Sequence, residues 1–360
     1  MQEQVSQQVN IIPKKKLLIS IVVFLACVGL TFLIVFLNVK PKVLYNTIHN
    51  FNKAYLVIGL CFVLIYTILE GYNIKRLLMH LNIKKSLYHC YKYAIIGFFF
   101  SGITPSSTGG QPMQIYYMYS EDVPIAYSSF ALFTMLFCYQ IVIGLYGAIG
   151  YMINYSELSQ IFGSFNLWLG ISIVINFTIV FFIGLVIFKW QIAEKLINFI
   201  ISVFKKINNK FGAKIEKKLS LFLINYKACS EYLNKDIRIL FRVLGTAFLQ
   251  YILLYSIPFL VYKGLGLQGF PVIPMLMLQA VLYVGCGFIP TPGALAVTES
   301  LFVLIFQHYY PIDLIGNAMV ISRTMSLYLP VMLYGLLSGW WLKTLPYIKK
   351  KTERTYTSID

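Results

Sequence analysis

The amino-acid sequence predicts an all-α polytopic membrane protein, with about six full spans and two broken, re-entrant helical hairpins in an inverted repeat. The first observation is composition: 58% of the 360 residues are hydrophobic and 12% are charged, whereas a soluble domain carries about 25% charged residues. The second is a series of apolar segments of about 20 residues, the length that spans a bilayer as a helix. The third is a pair of apolar segments that proline, glycine and hydroxyl residues interrupt.

Six apolar segments are long enough to cross the membrane as helices. They are residues 17–37, 54–72, 127–153, 166–188, 239–262 and 314–341. We expect them to belong to one transmembrane domain over residues 17–342. Residues 1–16 are polar and are predicted to form a disordered cytoplasmic N-terminus, and residues 343–360 are predicted to form a cytoplasmic tail.

Residues 189–238 form a long polar insert that holds 11 lysine and arginine residues. Apolar residues recur within it at helical spacing, as at Leu196, Phe199 and Val203. Basic residues that flank an apolar face are typical of a helix lying on the membrane surface. We therefore predict a basic amphipathic cytoplasmic insert with a second helix near residues 213–232. The alternative interpretation is a solvated connector.

The basic residues also predict the orientation. Of the 30 lysine and arginine residues, 24 lie in segments assigned to the cytoplasmic side, four in outer loops and two within spans. This positive-inside bias predicts a multi-pass protein of the cell (plasma) membrane with both termini in the cytoplasm. It also requires the first hairpin to return to its own side, since the basic insert would otherwise lie outside. The net charge of +17 therefore reflects topology, and the basic stretches lack the motif context of a nucleic-acid partner.

The first hairpin is broken within residues 98–114, where Pro105 and Pro112 lack a backbone donor and Gly109 and Gly110 allow a bend. Broken backbone at membrane depth is tolerated where protein covers it or where it lines a polar cavity. The stretch is therefore a candidate lipid-binding site, with a plain loop at the membrane surface as the alternative. Its candidate residues are Ser101, Thr104, Pro105, Ser106, Ser107, Thr108, Gly109, Gly110, Gln111 and Gln114.

A second hairpin is predicted over residues 271–310, with candidate site residues Thr291, Pro292 and Gly293 at its break. Its arms are longer than those of the first hairpin, so it either dips into the membrane or crosses it twice, and in both cases it returns to the same side. Beyond the break, Glu299 and Arg323 lie in apolar surroundings. Charges within a bilayer are costly and usually face a partner or a cavity. One interpretation is an ion pair that only locks the fold. In the other, Arg323 attracts a lipid phosphate, and Glu299 orients Arg323 or meets a cationic head group.

The order of spans and hairpins predicts an internal repeat. Residues 54–153 read as span, inner hairpin and span, and residues 239–342 read as span, outer hairpin and span in the opposite sense. Inverted repeats of this kind place two broken hairpins near the membrane midplane. Outside this pattern, Glu70 is expected to lie near the interface and to pair locally with Lys75 or Arg76. The many tyrosines are expected to be interface anchors.

Three motifs carry a family resemblance: residues 101–112 (SGITPSSTGGQP), residues 289–299 (IPTPGALAVTE), and Arg323 followed by Tyr328-Leu-Pro330. They resemble the lysylphosphatidylglycerol synthase transmembrane-region family, the flippase-like part of the multiple peptide resistance factor, over residues 15–345. Many relatives have glutamate where this chain has Gln111, with an arginine nearby. Charge-dependent roles of that hairpin therefore do not carry over.

The resemblance implies a flippase-like lipid translocator for an anionic or aminoacylated phospholipid or a polyprenyl-linked lipid, and links the chain to lipid metabolism and antibiotic resistance. Full-length synthases add a cytosolic domain that transfers lysine to phosphatidylglycerol. Because 19 residues follow Trp341, we expect no such transfer, although the family name suggests a phosphatidylglycerol lysyltransferase. An alternative is a scaffold that presents lipid to a partner synthase or glycosyltransferase.

No cofactor or metal is expected from the sequence. The histidines and cysteines are scattered without metal-ligand spacing, and no Walker motif for ATP hydrolysis appears. The expected partners are a membrane lipid, a partner synthase or glycosyltransferase, and a second copy of the chain in a homo-oligomer.

Overall fold

The computed structural model describes residues 46–47, 49–104, 107–163, 166–207, 209–287 and 297–344. Within these ranges the regular elements are helices, and no strand occurs. The predicted all-α polytopic fold is confirmed. The first predicted span, residues 17–37, lies outside the described residues.

The helices follow one another with short connections. In chain order they are α1 (Lys53–His80), α2 (Leu87–Ile103), α3 (Gly110–Ser120), α4 (Ile125–Ile153), α5 (Tyr155–Phe162), α6 (Asn166–Phe188), α7 (Trp190–Ile207), α8 (Asn209–Lys235), α9 (Arg238–Tyr255), α10 (Ile257–Gly264), α11 (Val272–Cys286), α12 (Val297–Phe306), α13 (Ile312–Arg323) and α14 (Leu329–Thr344). A π-helical turn, Thr324–Tyr328, joins α13 to α14.

Five segments of the described chain are long and apolar enough to cross a membrane. They are Lys53–His80, Ile125–Ile153, Asn166–Phe188, Arg238–Gly264 and Ile312–Leu342. They match five of the six predicted spans. The fourth segment joins α9 and α10 with a break at Ser256, two residues before Pro258, and the fifth joins α13, the π-helical turn and α14. Their exposed apolar side chains, such as Val174 and Phe181 of α6, suit contact with lipid.

The first hairpin consists of α2 and α3, which have 17 and 11 residues. At about 1.5 Å per residue, neither helix can cross a hydrocarbon core of about 30 Å. Thr104 ties the turn between them: its hydroxyl donates to the Phe100 carbonyl (2.6 Å) and accepts from the Gly109 N–H (2.8 Å). The Ser107 N–H donates to the Thr104 carbonyl at 3.1 Å. These bonds satisfy backbone groups that the break would otherwise leave unpaired.

The second hairpin consists of α11 and α12, which have 15 and 10 residues. Its break, residues 288–296, lies outside the described residues. The described parts of both arms are shorter than the roughly 20 residues that a full crossing needs, and the choice between a re-entrant hairpin and two crossings stays a prediction.

The first arm of each hairpin packs against the last span of the other half of the chain. The α2 arm contacts α14, and the α11 arm contacts α4, while the first spans of the two halves, α1 and α9, contact each other. Two halves related by a twofold axis would produce this exchange of contacts. The inverted repeat itself stays a prediction.

The basic insert forms α7 and α8. In α7, Leu196, Phe199 and Val203 are exposed, so an apolar face is available for the membrane surface. Three side chains of α8 donate hydrogen bonds of 2.7–3.1 Å to the last carbonyl groups of α6. The donor and acceptor pairs are Tyr226 with Val186, Ser230 with Ile187, and Asn234 with Phe188. These bonds satisfy carbonyls that a helix end leaves without an intrahelical partner.

Candidate functional site

A cavity of about 560 Å³ is lined by residues of both hairpins and of the surrounding spans. The first hairpin contributes polar side chains from both arms, and the second contributes Cys286 and Thr298 beside its break. Six predicted site residues line the cavity: Ser101, Ser107, Thr108, Gln111, Gln114 and Arg323. These six predicted residues therefore share one cavity, and their role in lipid binding stays a prediction.

Four other predicted residues lie in the structure without lining this cavity: Thr104, Gly109, Gly110 and Glu299. The two glycines serve close packing. A Cβ at Gly110 would collide with the Ser101 hydroxyl and lie 2.8 Å from the Gly97 carbonyl oxygen, and one at Gly109 would lie 2.8 Å from the Thr104 hydroxyl. The remaining predicted residues, Pro105, Ser106, Thr291, Pro292 and Gly293, lie outside the described residues.

Arg323 and Glu299 form a buried ion pair at the edge of the cavity. The Arg323 Nε lies 2.9 Å from the Glu299 Oε1, and the side chains are 8% and 6% exposed. The Tyr328 hydroxyl donates to the same carboxylate oxygen at 3.3 Å. Arg323 lines the cavity and Glu299 does not, so the carboxylate lies behind the guanidinium and orients it.

The π-helical turn begins directly after Arg323. Pro330 lies two residues beyond this turn and has no N–H to donate along the helix. The Thr324 and Ser326 hydroxyls each donate to a carbonyl four residues earlier, at 2.8 Å. Single π-helical turns occur frequently at functional sites. The local sequence therefore interrupts the last span where its arginine reaches the cavity.

Glu70 is a cavity residue, and the prediction that it pairs locally with Lys75 or Arg76 was wrong. Its side chain is buried, lines the cavity, and accepts a hydrogen bond from the Gln114 Nε2 at 3.1 Å. The span was predicted to end at residue 72, but α1 continues to His80, so Glu70 lies well inside the helix. Arg76 instead donates to the Arg242 carbonyl and the Thr246 hydroxyl.

A helical-spacing signal could have located Glu70. Val63, Thr67, Glu70 and Ile74 follow one another at intervals of three or four residues, and all four are buried. Positions at this spacing share one face of a helix. The small and polar members of this face, in an otherwise apolar span, mark the side of α1 that contacts protein.

Tyrosines form part of the cavity wall, so the prediction that tyrosines serve as interface anchors is wrong for these residues. Tyr66, Tyr139, Tyr251 and Tyr283 all line the cavity. The Gln250 side chain ties three helices together behind them. Its Oε1 accepts from the Tyr139 hydroxyl (3.0 Å) and from the Asn73 Nδ2 (3.1 Å), and its Nε2 donates to the Tyr66 carbonyl (3.0 Å). Nothing in the sequence pattern indicated this network.

The cavity combines charge with neutral polar and apolar surface. Of the described residues that line it, Glu70 provides the carboxyl group and Arg323 the guanidinium. An apolar part of the wall is formed by Phe98, Leu132, Met135, Ile143, Leu254 and Leu327. Such a surface can accept a charged group together with a hydrocarbon chain. Across the described chain, no group of three or more His, Cys, Asp or Glu residues could hold a metal ion.

One protein family matches most of this chain. The family model described as "Lysylphosphatidylglycerol synthase TM region" matches residues 17–333, which include both hairpins and Arg323. No curated protein matches the chain. The match covers most of the 360 residues. The chain therefore belongs to the lysylphosphatidylglycerol synthase transmembrane-region family, and its function concerns membrane lipids.

Proposed function

We propose that this protein is a flippase-like lipid translocator, and that its cavity receives the phosphate-bearing head group of an anionic phospholipid or a polyprenyl-linked lipid. The position of Arg323 carries the proposal. Its side chain lines a cavity between two broken hairpins, although it is 8% exposed and lies within a span. Intramembrane charges that face a cavity commonly mark a substrate pathway.

The residues around Arg323 suit a phosphorylated head group. A guanidinium provides a planar set of donors that matches phosphate oxygens. Ser101, Thr108 and Gln111 add neutral polar groups from the first hairpin, and they can hydrogen-bond phosphate oxygens or the hydroxyls of a head group. The apolar part of the wall would accept the lipid chains.

The helix packing supports a translocation mechanism. Each hairpin packs against a span of the opposite half, and both hairpins border the cavity. In transporters built from inverted repeats, rocking of one repeat against the other exposes a central site to each side in turn. We propose the same motion here, in the plasma membrane with both termini in the cytoplasm.

A lipid-presenting subunit is the second candidate function. The observation that favours it is the insert, in which α7 has an exposed apolar face and lysines such as Lys195 and Lys205. This surface could hold a partner enzyme at the cytoplasmic side. The two functions differ in one property, because a translocator moves lipid as a purified chain and a presenting subunit only binds it.

The test uses the purified full chain in vesicles that contain a trace of tail-labelled phosphatidylglycerol. An impermeant reductant bleaches label in the outer leaflet, so translocation exposes the protected inner fraction. We expect faster bleaching of this fraction than in protein-free vesicles, and we expect anionic lipid to be enriched by mass spectrometry among co-purified lipids. Enrichment without translocation would support the presenting subunit, and absence of both would overturn the lipid-site proposal.

A further inference from the structure

The Glu70 carboxyl group differs from Glu299 in its partner. Glu70 lies in α1 and lines the cavity, whereas Glu299 lies in α12 and pairs with Arg323 at 2.9 Å. Glu70 accepts a hydrogen bond from the neutral amide of Gln114. Among the ion pairs within the described chain, none joins Glu70 to a lysine, arginine or histidine.

The groups that face Glu70 are neutral hydroxyls and an amide. Four tyrosines on α1, α4, α9 and α14 interact with it electrostatically: Tyr66, Tyr139, Tyr251 and Tyr334. Several charged groups of the helices packed against α1 have partners other than Glu70, among them Arg238 of α9, which pairs with Asp236. On α2, His89 and Lys92 face Glu121, and on α10, Lys263 lies over the rings of Phe259 and Tyr262.

An unpaired carboxylate within a membrane domain is costly, and it is neutralised most directly by a proton. Gln114 is compatible with both states of such a group. Its amide nitrogen donates to a carboxylate, and its amide oxygen can accept from a carboxylic acid after rotation. A lysine or arginine at this position would hold Glu70 in the ionised state. The Glu70–Gln114 pair thus permits protonation without loss of its hydrogen bond.

Gln114 links this carboxyl group to the first hairpin. Its side chain is 3% exposed, and it lies so close to α2 that a Cβ at Gly97 would lie 2.9 Å from its Cγ and collide with the amide. The amide therefore cannot shift far without moving the arms of the hairpin. A change in the protonation of Glu70 therefore acts through Gln114 on the first hairpin, which borders the cavity.

We propose that Glu70 is a proton-binding site that is loaded together with the anionic head group. The inference rests on the proposed function. One proton from water adds to the carboxylate to give a neutral carboxylic acid, and the same proton returns to water when the head group leaves. A phosphate near Arg323 and an ionised Glu70 repel each other across the cavity. Protonation removes this repulsion, and by reciprocity a bound anion favours protonation.

Infrared difference spectra of the purified full chain across a pH step test the proton site itself. We expect a carbonyl band of a protonated carboxyl group that disappears in Glu70→Gln. The matched control is Glu157→Gln, which changes a carboxylate that accepts from the Tyr309 hydroxyl away from the cavity, and it should keep the band. A wild-type spectrum whose carboxyl bands are unchanged in Glu70→Gln would overturn the proposal, whether or not lipid binds.

Binding of tail-labelled phosphatidylglycerol at a series of pH values tests the coupling. In the wild type and in Glu157→Gln, the affinity should fall about tenfold as Glu70 loses its proton with rising pH. In Glu70→Gln, which resembles the protonated form, the affinity should stay at the low-pH value throughout.

A pH dependence that persists in Glu70→Gln would overturn the coupling. Loss of affinity at every pH in this variant would do the same, because Glu70 would then be a head-group contact. Absence of binding in the wild type would instead count against the proposed function.

Discussion

The two hairpins reach the same cavity with different chemistry. The first supplies neutral side chains, such as Ser101, Gln111 and Gln114. The second carries the carboxylate of Glu299, which pairs with Arg323 of the following span. The guanidinium group that lines the cavity therefore belongs to the span after the second hairpin, while the first hairpin offers hydrogen bonds. This division of roles suits an anionic head group that is attracted on one side and oriented on the other.

The hairpins also differ in how their first arms pack. Where α11 meets α4, a Cβ at Gly150 would collide with the carbonyl group of Met277, which is backbone. Where α2 meets α14, a Cβ at Gly335 would lie 2.7 Å from the ring of Phe99, which is side chain. A side chain can rotate away and a backbone carbonyl cannot. At these two positions, the contact of the second hairpin is therefore the one with less room to adjust.

The largest expected effect is the difference in cysteine labelling between the two sides of the membrane, which reports the side from which each hairpin enters. The basic insert is predicted inside, and α5, which connects α4 to α6, is predicted outside. A cysteine in place of Lys210 should react with an impermeant thiol reagent only after permeabilisation, and one in place of Ser159 should react in intact cells. The parent chain, with its own six cysteines, serves as the control. The reverse labelling pattern would invert the assignment of both hairpins.

The next largest effect is the loss of stability that follows substitution of Arg323, the arginine beside the second hairpin. Arg323→Gln leaves Glu299 buried without its cation, and breaking a buried pair costs about 3–5 kcal/mol. The double variant Glu299→Gln with Arg323→Gln removes both charges and should recover most of this loss. Denaturant titration in detergent micelles measures the unfolding free energy. A single variant as stable as the wild type would show that the pair is not buried as described.

Substitution of glycines in the helix contacts should change the unfolding free energy by different amounts in the two hairpins, and by less than loss of the ion pair. Gly150→Ala should destabilise the protein by about 1–3 kcal/mol, as overpacking typically does, and Gly335→Ala should cost less because the Phe99 ring can adjust. Gly245→Ala is the matched control, because its Cβ would meet no atom within 4 Å, and it should be neutral or stabilising by about 0.5–1 kcal/mol. Equal losses at the first two positions would remove the difference between the two contacts.

The smallest expected effect lies at the bases of the hairpins, where a tyrosine hydroxyl donates to a glutamate in each case. The distances are 2.6 Å from Tyr93 to Glu121 and 3.1 Å from Tyr309 to Glu157. Tyr93→Phe and Tyr309→Phe should each cost about 1 kcal/mol, with the larger loss at the shorter bond. Tyr155→Phe, at an exposed tyrosine, should change the melting temperature little. A larger loss for Tyr309→Phe would reverse the expected order.

The sequence predicted the spans well because a bilayer imposes a length on apolar helices. Five of the six predicted segments appear as candidate spans in the described chain. The first broken stretch was recognised because proline and glycine interrupt helices through local backbone geometry, whereas the predicted break of the second hairpin lies outside the described residues. For Glu299 and Arg323 the sequence left open a purely structural ion pair and a lipid-binding role. The structure shows the ion pair and also places Arg323 in the cavity wall.

The cavity wall could not be predicted in full because it depends on contacts between distant helices. Glu70 contacts Gln114 across 44 positions of sequence, and Tyr139 contacts Gln250 across 111. Such pairs follow from the rotation of each helix about its axis, which a segment length does not fix. The end of α1 was placed eight residues early, at 72 instead of 80, and this error placed Glu70 near the end of the helix instead of well inside it.

Translocation by the double variant Glu299→Gln with Arg323→Gln tests the central claim most directly. Tail-labelled phosphatidylglycerol in vesicles reports the rate, and thermal unfolding of the same preparation reports the fold. If Arg323 attracts the head group, the double variant should regain stability and still fail to move lipid. A stable double variant that moves lipid at the wild-type rate would show that the pair only locks the fold, and would contradict the proposed lipid site.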